Sequence, residues 1–150
     1  MDSFLYLALK HMHSVLRWLL LSAVFVSVGY SFLALYRKKG LSAAGSMLAR
    51  ISLYLAHFQL LIGVVVYFVS PKVQFSASSM KDPVLRFYLV EHVLAMVVAI
   101  ALITLGYAGA KKALTPVASS RRIFWYYGIA LVLILLLIPW PFLSYGASWI

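Results

Sequence analysis

Four long apolar stretches constrain the fold of this chain more than any other feature. Each is close to the roughly 20 residues that an α-helix needs to cross the hydrocarbon core of a bilayer. They cover Leu16–Tyr36, Ile51–Val69, Phe87–Ala108 and Ile123–Phe142. Only 11% of the 150 residues are charged, against about 25% in soluble domains. The sequence therefore predicts an all-α fold, in which residues 1–150 form a single integral membrane domain, a bundle of four transmembrane helices.

The basic residues alternate from one side of the predicted membrane to the other. The segments after the first and third stretches hold most of the Lys and Arg residues and no acidic residue, and the opposite side holds all three acids. These basic residues are Arg37, Lys38, Lys39, Arg50, Lys111, Lys112, Arg121 and Arg122. The positive-inside rule then predicts that both basic segments are cytoplasmic and that both termini lie on the outer side of the membrane. The net charge of +10 is explained by basic residues that set the topology, so it does not require a nucleic-acid partner.

Four histidines, His11, His13, His57 and His92, lie in these stretches or just before them. An ionisable side chain within a membrane helix is costly, so it marks a functional site by default. The chain has no cysteine, which excludes iron–sulfur clusters and covalent CxxCH haem attachment. Two neutral imidazoles from facing helices can hold haem iron. Bis-histidine haem b is therefore the sharpest prediction. A non-haem metal, a proton relay and structural hydrogen bonds are the alternatives.

Helical periodicity ranks two of the histidines as the best ligands. At about 100° per residue, His92 heads a stripe of small residues that ends at Gly106, and His13 shares a face with Arg17. Both faces are expected to look into the bundle, because small residues allow close packing and lipid disfavours arginine. From a rise of about 1.5 Å per residue, the two histidines are expected to differ in depth by roughly 10 Å.

The other two histidines are weaker candidates. His57 lies more than 100° away from a stripe of small and polar residues, Ser52–Gly63, on its own helix. His11 falls on a different face from His13, where the outer interface or a partner subunit is expected. His57 ranks third as a haem or metal ligand and His11 fourth.

Two arginines lie on the same outer side as the favoured histidines. Arg17 is one turn from His13, and Arg86 comes less than two turns before His92. Haem propionates are anionic, so both arginines are predicted to bind them. The alternative is that these side chains snorkel towards the lipid headgroups.

Several segments resemble a group of small bacterial inner-membrane proteins labelled cytochrome b-like, which are compared with cytochrome b561-type bundles. The resemblance covers nearly the whole chain and lies in HMHSVLRW (11–18), AHFQLLIG (56–63), YFVSP (67–71), MKDPVLRFYLVEH (80–92) and IPWPF (138–142). It implies a haem b protein that passes electrons between a quinol and an outer redox partner, at most a component of a membrane oxidoreductase. It also implies the bacterial inner membrane as the location, so that the outer side with both termini is the periplasmic side. A homodimer would be needed to give His57 a partner ligand for a second haem.

Two further functions stay open at the level of sequence. The chain is also compatible with a cofactor-free accessory or assembly subunit that packs against a larger membrane complex through Ser52–Gly63 and Ala95–Gly106. A small metal or proton transporter that uses Arg17, Glu91 and His92 is the third possibility.

Overall fold

The computed structural model describes residues 3–143 and has four long helices in that range. They are α1 (Ser3–Tyr36), α2 (Ala43–Val69), α3 (Pro83–Lys111) and α4 (Pro116–Leu137). All four are long and apolar enough to cross a membrane, and the described residues contain no strand. The predicted all-α bundle of four membrane-spanning helices is confirmed.

Polar residues at the helix starts explain why the helices extend beyond the apolar stretches. α2 begins after Ser42, whose hydroxyl accepts a hydrogen bond from the amide of Gly45. α4 begins after Thr115, whose hydroxyl accepts from the amide of Ala118, with Pro116 in the first turn. Such caps satisfy amides that the helix leaves unpaired. The predicted starts were therefore too late in both helices.

Two sequence predictions about boundaries are corrected. Arg50, Arg121 and Arg122 were assigned to loops, but they lie within α2 and α4. The fourth stretch was predicted to continue to Phe142, but α4 ends at Leu137. The residue before a proline is biased away from helical conformation, and Ile138, which precedes Pro139, is extended.

The helices pack as a four-cornered bundle. α1 packs against α2 and α4, and α3 packs against the same two neighbours, so α1 and α3 stand at opposite corners. We call the end with loops 37–42 and 112–115 the basic end. The other end carries the start of α1, the loop 70–82 and the end of α4, and we call it the open end.

The half of the bundle towards the basic end is tightly closed. The Ser27 and Ser52 hydroxyls, on α1 and α2, are 3.1 Å apart. The Tyr127 hydroxyl of α4 donates to the Ala49 carbonyl oxygen at 2.8 Å, and Tyr127 is fully buried. Gly106 of α3 packs directly on Tyr126 of α4. Small and polar residues thus allow close helix approach here, as is usual in membrane bundles.

A π-helical turn, Phe87–Glu91, interrupts α3 immediately before His92. Within it the His92 amide donates to the Phe87 carbonyl oxygen. Residues five apart lie about 140° apart around an α-helix, but the wider turn brings them to one face. The Arg86 Nε accordingly donates to Glu91 Oε1 at 2.7 Å, and the Phe87 and His92 ring centroids are 5.8 Å apart.

Candidate functional site

A cavity of about 480 Å³ lies in the open half of the bundle. All four helices contribute to its wall, together with the start of the 70–82 loop and the residues that follow α4. The wall is mostly apolar, with a small number of polar side chains. Its size falls within the range of roughly 300–1,000 Å³ that is usual for small-molecule and cofactor sites.

His92 lines this cavity from α3, and its ring orientation is fixed. The Nδ1 atom is 2.8 Å from the carbonyl oxygen of Leu137, the last residue of α4. A carbonyl oxygen only accepts, so Nδ1 carries the proton and Nε2 of the neutral ring keeps its lone pair. Histidines that bind metals are held in this way, with the second nitrogen donating to a carbonyl or carboxylate oxygen. Nε2 of His92 is therefore the available ligand atom.

His13 lines the same cavity from α1, packed against Gly63 of α2. A Cβ atom at Gly63 would lie 3.1 Å from His13 Cε1, so the glycine makes room for the imidazole. The Gln59 Nε2 donates to the His13 carbonyl oxygen at 2.9 Å and ties the two helices together at this level.

Two buried polar atoms beside the cavity have no hydrogen-bond partner among the described residues. They are Nδ1 of His13 and Oε1 of Gln59, and both residues line the cavity. Buried polar atoms in native proteins almost always have a partner, in the protein, in ordered water or in a ligand. Ordered water or a ligand would have to supply the partners of these two atoms.

Three cationic side chains, Lys10, Arg17 and Lys72, also line the cavity. The Lys72 Nζ donates to the Tyr88 hydroxyl at 3.2 Å and lies 4.5 Å from the centroid of that ring. Arg17 was predicted here from the sequence. Sequence reasoning missed the two lysines. Lys10 precedes His13 by three residues, a spacing that places both on one helix face. No sequence pattern locates Lys72, because its position depends on the path of the loop after α2.

Arg86, the second arginine predicted to bind propionates, is not among the residues that line the cavity. It forms an ion pair with Glu91 across the π-helical turn. The prediction assumed an uninterrupted α-helix, in which these two side chains would point in different directions. The structure therefore does not support a propionate-binding role for Arg86.

His57 and His11 lie outside the cavity, and both are exposed. The His57 Nδ1 donates to the Leu53 carbonyl oxygen at 2.8 Å, and its Nε2 is 3.5 Å from the Thr104 hydroxyl on α3. Their positions do not support the predicted ligand roles in the same site as the other two histidines. Within residues 3–143, no three His, Cys, Asp or Glu side chains come together as a metal site would require.

The two faces predicted to contact a larger complex are occupied within the bundle itself. Ser52, Ala56 and Gln59 of the first face are buried among the chain's own helices. On the second face, Ala99 is fully buried and Gly106 packs on α4. The accessory-subunit interpretation thus loses the surfaces on which it was based.

Comparisons of the chain with protein-family models, with curated proteins and with solved structures find no match.

Proposed function

We propose that this chain is a b-type haem-binding electron-transfer protein of the membrane, with His13 and His92 as the axial ligands. One observation carries the proposal: imidazoles from helices at opposite corners of the bundle line a single cavity. The hydrogen bond from His92 Nδ1 to the Leu137 carbonyl oxygen strengthens it, because it leaves Nε2 for iron.

The residues of the cavity fit the chemical needs of a haem. A low-spin b haem requires two axial imidazoles and no third protein ligand, which agrees with the pair of histidines found here. The apolar wall suits the macrocycle, and Lys10, Arg17 and Lys72 supply positive charge for its propionates. A haem held in this way would supply one-electron transfer. The chain's own residues would orient it, neutralise its carboxylates and exclude water.

The proposal also includes an orientation and a redox role. Because of the positive-inside rule, we place the protein in the bacterial inner membrane, with its basic end in the cytoplasm and the cavity in the periplasmic half. A cavity at that depth is within reach of a quinol in the bilayer and of an acceptor outside it, and we propose these as redox partners.

The experiment is a dithionite-reduced minus oxidised visible spectrum of the protein purified in mild detergent with haem supplied. We expect a sharp α-band at roughly 560 nm, as for a low-spin bis-histidine haem. His13→Ala and His92→Ala should each abolish this band. His57→Ala and His11→Ala are the matched controls, and they should retain the haem content of the wild type, because both side chains lie outside the cavity.

Two results would contradict the proposal. One is a flat spectrum from folded, haem-supplied wild-type protein. The other is an unchanged band in both cavity variants, which would mean that any bound haem sits elsewhere.

A further inference from the structure

A second cleft lies at the basic end of the bundle, between α2, α3 and α4, with a volume of about 200 Å³. Each helix contributes a pair of residues four apart, which share a helix face. The pairs are Ser46 with Arg50, Tyr107 with Lys111, and Ser119 with Ile123. Three helices thus direct two cations and three hydroxyl groups to one place.

The cations of this cleft have no carboxylate partner. Within residues 3–143 the one ion pair is Arg86 with Glu91, and Glu91 lies towards the open end. The sequence has three side-chain carboxylates: Asp2 precedes α1, Asp82 belongs to the loop 70–82, and Glu91 lies near the open end of α3. Among the described residues, Arg50 and Lys111 therefore line the same cleft with no acidic side chain paired to either.

The hydroxyl groups of the cleft are also available. Among the described residues, the side chains of Ser46, Tyr107 and Ser119 make no hydrogen bond with the protein. Hydroxyl donors beside an arginine and a lysine form the donor set that a phosphate group accepts from.

We infer that this cleft binds a phosphate group, presented by an anionic phospholipid. The place of the cleft supports a lipid source: Lys111 is the last residue of α3, and Arg50 lies two turns after the start of α2. This is the depth at which a helix that spans the membrane meets the headgroups. Leu41 adds apolar surface beside the cations, next to which an acyl chain would lie. Basic pockets between membrane helices recognise acidic headgroups by this combination of charges and apolar surface.

The test is a lipid titration of the full chain in detergent, followed by native mass spectrometry. Phosphatidylglycerol should bind more tightly than phosphatidylcholine, whose choline neutralises its own phosphate. In the Arg50→Gln/Lys111→Gln variant we expect the affinity for phosphatidylglycerol to fall about 30-fold, from the usual contribution of a basic residue near anionic lipid. The matched control is Arg37→Gln/Lys39→Gln, which removes the same charge from the same end but outside the cleft.

The outcomes separate the possible explanations. A selective loss in the cleft variant supports the inference. Ser119→Ala, which removes a donor and no charge, should show a smaller loss in the same direction. If inorganic phosphate alone binds with the same dependence on Arg50 and Lys111, and phosphatidylglycerol does not compete, the phosphate comes from a soluble source. Equal losses in the cleft variant and the control, or no preference for phosphatidylglycerol in the wild type, would overturn the inference.

Both pairs of substituted side chains are exposed, and unchanged circular dichroism would verify folding.

Discussion

The contact between Gly106 and Tyr126 allows a quantitative test of how α3 and α4 pack. A Cβ atom added at Gly106 would lie 2.5 Å from Tyr126 Cβ and 3.2 Å from Cγ. Carbon atoms pack best at about 3.5–4.0 Å, so the helices would have to separate by roughly 1 Å at this level. The clashing Cβ is anchored to the α4 backbone and cannot rotate away. Overpacking of this kind costs about 1–3 kcal/mol. We expect Gly106→Ala to lower the free energy of unfolding by that amount, less the gain of about 0.5–1 kcal/mol that alanine has over glycine within a helix.

Gly128→Ala is the matched control, because it makes the same chemical change on α4 where nothing lies within 4 Å of the added Cβ atom. Alanine is favoured over glycine within a helix by about 0.5–1 kcal/mol, so this variant should be neutral or slightly more stable than the wild type. Reversible unfolding in mixed micelles of mild detergent and sodium dodecyl sulfate, followed by circular dichroism, measures both. Equal stabilities of the two variants would refute the close contact between α3 and α4.

Two other predictions concern the closed half and the orientation. Tyr127→Phe removes the buried hydroxyl that donates to the Ala49 carbonyl oxygen. It should cost about 0.6 kcal/mol, the average for a hydrogen bond between membrane helices, and at most about 1.7 kcal/mol. The same unfolding titration measures this loss, and an unchanged stability would contradict the bond. Because the chain has no cysteine, single-cysteine variants can report the topology. Ala77→Cys should react with a membrane-impermeant maleimide in intact cells. Lys39→Cys should react only after the cells are permeabilised. The reverse pattern would invert the proposed orientation.

Helix faces could be predicted from the sequence because periodicity fixes the angle of each side chain around its own axis. The face that carries His13 and Arg17 on α1 was predicted to look inwards. Further along that face, Ser27 and Ser31 are fully buried, and His13 and Arg17 line the cavity. Apolar length predicted the four helices for a similar reason, since a span needs a fixed number of residues whatever its neighbours are.

Periodicity does not determine how far one helix slides along another, and it assumes a regular helix. A depth offset of roughly 10 Å between His13 and His92 is predicted from helical rise alone, and the structure adds that both residues line one cavity, which extends along α1 from Tyr6 to Leu20. The π-helical turn was also missed, because a single wide turn leaves no mark on the apolar pattern. That turn accounts for the pairing of Arg86 with Glu91, which the sequence did not predict.

The division of the bundle into a closed half and an open half predicts that the fold does not depend on what the cavity binds. The largest fully buried side chains of the closed half, Ile103, Ile123 and Tyr127, do not line the cavity, so their packing is independent of its occupant. The His13→Ala/His92→Ala variant should therefore lack haem yet keep the helical circular dichroism and the monodisperse gel-filtration profile of the wild type. In this variant the Leu137 carbonyl oxygen loses its hydrogen bond from His92. Leu137 is the last residue of α4, and the last carbonyl groups of a helix have no partner within the helix itself. An aggregated or unfolded double variant would contradict this independence, because it would mean that the histidines or their ligand hold the bundle together.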